Sequence, residues 1–339
     1  MIVLGIESTC DETSAGIVID GKKIISNIIH SQIDIHKPFK GVFPELASRS
    51  HVDKIIPVIE ESLKKACITL DDIDLIAVAG GPGLIGSILI GMNTAKALSI
   101  ALNKPYISVN HVEAHLYASM MSEEKNIFPS LGVVVSGGHT MLLKIDEIGK
   151  YSIIGTTIDD AIGECFDKVA SILDLPYPGG PEIEKIANFG DESKYIFKKS
   201  KIKNRDFDFS FSGLKTRILY LVKGQSAKKD SPTIIAESQK KDIAASFQKC
   251  AFEDLFEKTI KAFYKNNLKA IYFGGGVSNN NYLRKLFEKK CDIKMFWPSK
   301  GFSLDNAAMI AGLGYHKFKK NNLISDSLDL EVKTSYSSF

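Results

Sequence analysis

Apolar and polar residues alternate in blocks along the chain, and the blocks predict strands and helices in turn. Residues 1–6, 13–19 and 22–31 read as three strands, with a polar turn over 7–12 between the first two. Apolar Val52, Ile55, Ile56, Val58, Ile59 and Leu63 recur at helical spacing and predict a helix over 45–67. A short buried strand over 74–79 ends in glycines, a small-residue helix covers 85–102, and a strand over 105–109 leads into a helix that opens with His111. The opening theme then returns. Residues 131–135 form a strand, 136–140 a tight polar turn and 141–145 the returning strand. A third glycine turn, 274–281, follows a strand at 270–273, and Leu304-Asp305-Asn306 precedes a small-residue helix over 307–315. Two α/β lobes of βββαβα type, facing a central cleft, fit this repetition. Residues 194–230 are rich in Lys and read as a hairpin or loop insertion, and the polar stretch after Asn321 is expected to fray.

At 339 residues the chain is long enough for two such lobes. With 44% hydrophobic and 24% charged residues it has the composition of an ordinary soluble protein. A net charge of +3 excludes a whole-molecule attraction to nucleic acid, but leaves a local patch at Lys198, Lys199, Lys201, Lys203, Arg205 and Lys215. The N-terminus has no basic segment, and Glu7 and Asp11 follow its apolar start at once, which argues against a signal peptide. No apolar run approaches the roughly 18 residues that span a bilayer. Five scattered cysteines without a C-x-x-C pair predict reduced thiols and a cytoplasmic protein.

The candidate chemistry lies in the turns. Gly81-Pro82-Gly83-Leu84-Ile85-Gly86 matches G-x-G-x-x-G, but no carboxylate follows about 20 residues on to hold a ribose. These glycines instead predict close helix packing. The turn Ser136-Gly137-Gly138-His139 suits a phosphate, because adjacent glycines let N–H groups converge on an anion. Gly274–Gly276 could do the same, and Asn280 could bond a base or sugar. His111 and His115 lie four apart and share a helix face. Glu113 is misplaced for the H-E-x-x-H of a zinc protease, and the P-C-x-x-C of a zinc deaminase is missing. Two His with one distant carboxylate would suit Fe(II) or Zn(II). Asp305 is the best such carboxylate, although it also reads as a helix N-cap. Asp11 and Glu12 could hold a cation or act as base, or form a solvated hairpin tip. Asp167 is an open candidate for a sugar-hydroxyl ligand.

Taken together these segments resemble one family. They are 5–13 (GIESTCDET), 44–49 (PELASR), 81–84 (GPGL), the His pair, 135–140 (VSGGHT), 177–181 (YPGGP), 209–216 (FSFSGLKT), 275–278 (GGVS) and Asp305-Asn306. The family is the tRNA threonylcarbamoyltransferases of the TsaD type, once called O-sialoglycoprotein endopeptidases, and the match runs in order over about residues 1–320. The resemblance implies a two-lobed actin-like ATPase fold. A first lobe would cover 1–128, joined by 303–325; a second would cover 129–302 with the insertion 194–230; 326–339 would be a tail. It implies transfer of a threonylcarbamoyl group from threonylcarbamoyl-adenylate to N6 of the adenosine 3′ of the anticodon, in tRNAs reading codons that start with A. It implies one Fe(II) or Zn ion per subunit on His111, His115 and Asp305, and Asp11 and Glu12 near the reacting centre. Val134, Val135, Ser136, Gly137, Gly138 and His139 would contact the acyl-adenylate, with Asp167, Gly180 and Asn280 around the nucleoside. Implied partners are tRNA, a degenerate paralogous subunit and a small ATPase, with no membrane. The helix 85–102 is expected to meet the paralogue, with Gly91 at the contact. On the same fold, a small-molecule carbamoyl- or phosphotransferase and a nucleotide-binding regulatory subunit are the alternatives. Asn279, Asn281 and Ala307 depart from the common pattern, as does Glu184, which stands where some relatives carry a ribose-binding Asp.

Overall fold

The computed structural model describes residues 1–225 and 231–334, so 226–230 of the expected insertion and 335–339 of the tail lie outside the described residues. The chain forms two compact units. One comprises 1–126, 145–151 and the chain from Trp297 onward; the other comprises 127–144 and 152–296.

The first unit runs β1 (Ile2–Glu7), β2 (Glu12–Ile19), β3 (Lys23–Ser31), the short α1 (Ile33–His36), α2 (Pro44–Ala66), β4 (Leu75–Gly81), α3 (Ile85–Leu102), β5 (Tyr106–Asn110) and α4 (His111–Met120). The strands order as β3-β2-β1-β4-β5. β1–β2 and β2–β3 are antiparallel, whereas β1–β4 and β4–β5 are parallel. β4 is buried at every position, as expected of a parallel strand covered on both faces. Leu4, Ile6, Ala15 and Ile17 join Ile55, Val58 and Ile59 of α2 and Met92 and Ala95 of α3 in one core. Part of the apolar pattern of α2 points elsewhere: Val52 is 61% exposed and Ile56 50%. α3 is 18 residues long and, by length and composition alone, apolar enough to cross a membrane, which corrects the sequence expectation. Its Ser87, Ile88, Gly91, Met92 and Ala95 are buried and it packs on β4 and α2 along that one face.

The second unit carries β6 (Ser130–Val135), β7 (Thr140–Glu147) and β8 (Lys150–Thr156), apart from their residues 145–147 and 150–151, then α5 (Ile162–Ile172), α6 (Gly179–Ala187), α7 (Ser212–Lys223), α8 (Glu237–Lys265), β9 (Ile271–Gly274), α9 (Asn281–Lys290) and β10 (Met295–Phe296). Its strand order is β10-β9-β6-β7-β8, with β6–β9 and β9–β10 parallel. The region read as a loop insertion contains α7. Leu214, Ile218 and Val222 are buried at four-residue spacing and α7 packs on α5, a stripe hidden in the sequence by intervening polar residues.

The chain returns to the first unit as α10 (Ala307–Lys320), which lies on β1, β2 and β4. Gly5 permits this: a Cβ there would sit 2.1 Å from the Ala307 carbonyl oxygen. This close approach fixes where α10 starts, and so where Asp305 falls. The tail is not frayed over 326–333. The Asp326 N–H donates to Tyr106 O (2.9 Å), Ser108 N–H to Asp326 Oδ2 (2.7 Å) and Lys333 N–H to Gly80 O (3.0 Å). β5 is the sheet edge, and its backbone at Tyr106 and Ser108 supplies two of the partners; the third, Gly80, lies at the irregular end of β4.

Candidate active site

Four elements of the first unit build a buried polar centre. α4 starts at Asn110, whose side-chain oxygen accepts from Val112 N–H (2.9 Å) and Glu113 N–H (3.2 Å). That cap makes His111 the first helical residue and puts His115 one turn later on the same face, ring centroids 4.6 Å apart. α10 is capped by Asn306, which accepts from Met309 N–H (3.1 Å), while Ser14 and Asn27 accept from Ala307 and Ala308 N–H. The N-cap alternative for Asp305 therefore falls away, because its neighbour does that work. Asp305 Oδ1 lies 3.0 Å from His115 Nε2 and 3.6 Å from His111 Nε2, and the three potential ligand atoms lie within 4.8 Å of one another.

The donor chemistry fits a metal ion. Two imidazoles and a carboxylate suit a borderline divalent cation and leave positions for substrate. Among the described residues His115 Nδ1 is buried without a hydrogen bond, and Nε2 has the Asp305 carboxylate 3.0 Å away without a well-aligned hydrogen bond to it, an arrangement that a ligated ion would relieve. Burial opposes charge on His111, but Glu7 and Asp305 outweigh it and lift its pKa to about 9.

The turn after β1 adds the acidic pair. Asp11 is half-buried and Glu12 buried. Burial pushes Glu12 well up, and the Asp11 charge adds to it; burial and Asp305 raise Asp11 as well. The two carboxyls share a hydrogen bond, and burial with the negative charge around them raises both. Sequence reading missed the support behind this turn. His51 of α2 donates from Nε2 to the Cys10 carbonyl (3.1 Å), which leaves Nδ1 to accept from Thr13 Oγ1 (2.8 Å). Gln32 and His36, both buried, extend the network. The only hint in the sequence was polar residues at positions that should be apolar. The 81–86 glycines pack, as their missing ribose partner predicted. Leu84 N–H donates to Thr9 O (2.8 Å), and a Cβ on Gly83 would lie 2.4 Å from that oxygen. A Cβ on Gly91 would lie 2.4 Å from Ser8 Oγ, so Gly91 faces this turn and not a partner.

The remaining candidates belong to the second unit. Val134 and Val135 end β6, fully buried, and Ser136 closes the turn by donating its N–H to His139 O (2.9 Å) and accepting His139 N–H at Oγ (3.1 Å). Gly163, in the first turn of α5, packs on Ser136 and Gly137, and Gly275 on Val135. Asp167 of α5 accepts the Gly179 N–H (2.7 Å), which sets the start of α6 and Gly180. Asn280 caps α9 and donates to Gln248 Oε1 (3.0 Å), so most of its amide is already committed. Glu184 accepts from Asn281 N–H (2.8 Å) and so fastens α6 to α9. A Cβ on Gly137, Gly138 or Gly180 would meet nothing within 4 Å, as at Gly41, Gly213 and Gly301. Local packing does not demand glycine there, whereas close approach of a ligand would.

The profile of the TsaD family, tRNA N6-adenosine threonylcarbamoyltransferase, matches residues 23–312. A tRNA N6-adenosine threonylcarbamoyltransferase of Protochlamydia amoebophila is 57% identical over 98% of this chain and 97% of its own length. One from Dictyoglomus turgidum is 50% identical over 94% of both. Among solved structures, full-length HypF superposes with a TM-score of 0.62 at 15% identity, over 96% of this chain and 56% of its own. A ROK hexokinase from Thermus thermophilus gives 0.51 at 12%, over 94% and 100%. These structures have the actin-like ATPase fold, with two mixed sheets in two lobes. With relatives this similar along almost its whole length, the chain belongs to the TsaD family of tRNA N6-adenosine threonylcarbamoyltransferases.

Proposed function

We propose that this chain moves a threonylcarbamoyl group from threonylcarbamoyl-adenylate to N6 of the adenosine 3′ of the anticodon, in tRNAs reading codons that start with A. The cluster of buried His111 and His115 with half-buried Asp305, beside Asp11 and Glu12, is the observation that carries the reading. The triad would hold one Fe(II) or Zn ion per subunit, which supplies a Lewis acid and template for the threonylcarbamoyl carbonyl. The protein's residues do the rest. The N6 amine attacks the carbonyl carbon, the N–C bond forms, the carbonyl-to-phosphate C–O bond breaks and AMP departs. An exocyclic amine is a weak nucleophile, so placement and proton removal matter. Asp11 or Glu12, both raised by burial, suits the proton acceptor. The turn 136–139, with Val134 and Val135 before it, suits the adenylate phosphate, and Asp167, Gly180 and Asn280 the nucleoside.

Within the same reading the chain works in the cytoplasm with a degenerate paralogous subunit and a small ATPase. Exposed Val52 and Ile56 on α2 and Ile85 and Leu89 on α3 favour docking of the paralogue there. The expected tRNA patch is weaker than its composition: Lys199 is 2.6 Å from Glu257 and Lys215 is 2.7 Å from Asp160, so both are neutralised within the fold. The test is to incubate the chain and partners with threonine, bicarbonate, ATP, a threonylcarbamoyl-adenylate synthase and unmodified tRNA, then digest the tRNA for mass spectrometry. The threonylcarbamoyl nucleoside is expected. Carbamoyl or phosphoryl transfer without tRNA, or nucleotide binding without turnover, would instead support the two alternatives.

A further inference from the structure

One buried carboxylate beside the triad has no part in the chemistry above. Glu7 ends β1 and is 0% exposed. It lies behind His111, on the side away from Asp305. Glu7 Oε2 is 2.9 Å from His111 Nδ1, and Oε1 accepts the Thr9 N–H at 2.6 Å. Thr9 Oγ1 also lies 3.2 Å from Nδ1. An ionised carboxylate only accepts hydrogen bonds, so the Nδ1 facing it carries the proton. A neutral His111 is then fixed with its lone pair on Nε2, the nitrogen toward Asp305. The carboxylate is itself held, since one oxygen is tied to Thr9 and the Thr9 carbonyl is tied to the start of α3 through Leu84 N–H (2.8 Å). Burying a carboxylate is costly unless its hydrogen bonds are met, and Glu7 meets them with a backbone N–H and this one ring. His115 has no comparable partner among the described residues.

We propose that Glu7 is a positioning residue that sets the tautomer and ring orientation of His111 for metal binding. The proposal rests on the metal reading of the triad. Outer-shell carboxylates of this kind change metal affinity about 10–100-fold when removed. Co(II) titration of the metal-free chain, followed by its visible absorption, tests it, with circular dichroism and thermal melts in chelator as fold controls. Wild type is expected to bind and His115→Ala to lose binding. Glu7→Gln should bind roughly 10–100-fold more weakly with an unchanged metal-free melt. Should Glu7→Gln melt early, Glu7→Asp decides: it keeps the charge one methylene short of the ring, and weaker Co(II) binding in a folded chain supports the proposal. Wild-type affinity in folded Glu7→Gln or Glu7→Asp overturns the role of Glu7 and leaves the metal reading standing. Equal binding by wild type and His115→Ala overturns both.

Discussion

The two strand–turn–strand motifs look alike in sequence and are built for opposite purposes. The first, 7–12, contains no glycine; its glycines lie opposite, at 83 and 91, and let α3 press against Thr9 and Ser8. Its side chains are buried, bonded and charged, and they face the His pair and Asp305. The second, 136–139, keeps its glycines in the turn, where a Cβ would meet only open space. One turn offers side chains on a rigid backing and the other offers backbone. In the proposed reaction the first would serve the acyl group and the second the adenylate phosphate.

The largest effect is expected at the first turn's neighbour. Asp305→Ala should abolish binding of the ion, because it removes the only carboxylate of the set and leaves two buried imidazoles; metal analysis after dialysis checks this. A glycine pair separates the two turns next. Gly83→Ala should cost roughly 1–3 kcal/mol of stability, since the new carbon meets backbone that cannot yield. Gly138→Ala should melt like wild type and bind the acyl-adenylate more weakly, read by calorimetry. If Gly83→Ala is neutral, or Gly138→Ala unfolds the chain, the comparison is wrong.

A smaller effect concerns pH. Glu12 has a folded-state pKa well above its ordinary 4.5, so the folded metal-free chain holds a proton that the unfolded chain has lost. That contribution to stability is fully present below about pH 4.5 and is lost as pH rises through the folded value. Glu12→Gln should therefore melt higher than wild type at about pH 8 in chelator, with the gain vanishing toward about pH 4. The smallest intrinsic effect is at α3. Ile85→Lys should change stability by no more than roughly 0.5 kcal/mol, because Ile85 is 54% exposed, yet weaken the paralogue complex on gel filtration.

Strands β1–β7 and β9, with α2, α3, α4 and α10, were legible because burial imposes a period on apolar residues, whereas β8, β10, α5, α6, α8 and α9 went unread. The His pair was legible because a helix sets its spacing. Three further things were not. α7 was masked by its Lys and Arg, since only three of its residues are buried. The tail is held largely by backbone groups of β5 and of Gly80 in β4, and backbone bonding leaves no mark in side-chain pattern. The roles of Glu7, Gln32, His36 and His51 depend on which residues from distant segments meet, and one chain's sequence does not state that. Asp305 and Asn306 could not be told apart as cap and ligand until the start of α10 was fixed against Gly5.

The central claim is that the side-chain turn works through the triad while the backbone turn holds the nucleotide on its own. The direct measurement follows threonylcarbamoyl nucleoside in digested tRNA, and AMP binding, in one preparation of His115→Ala beside wild type. The account predicts no modified nucleoside from the variant and AMP affinity equal to wild type. Full modification by a metal-free His115→Ala chain would contradict it.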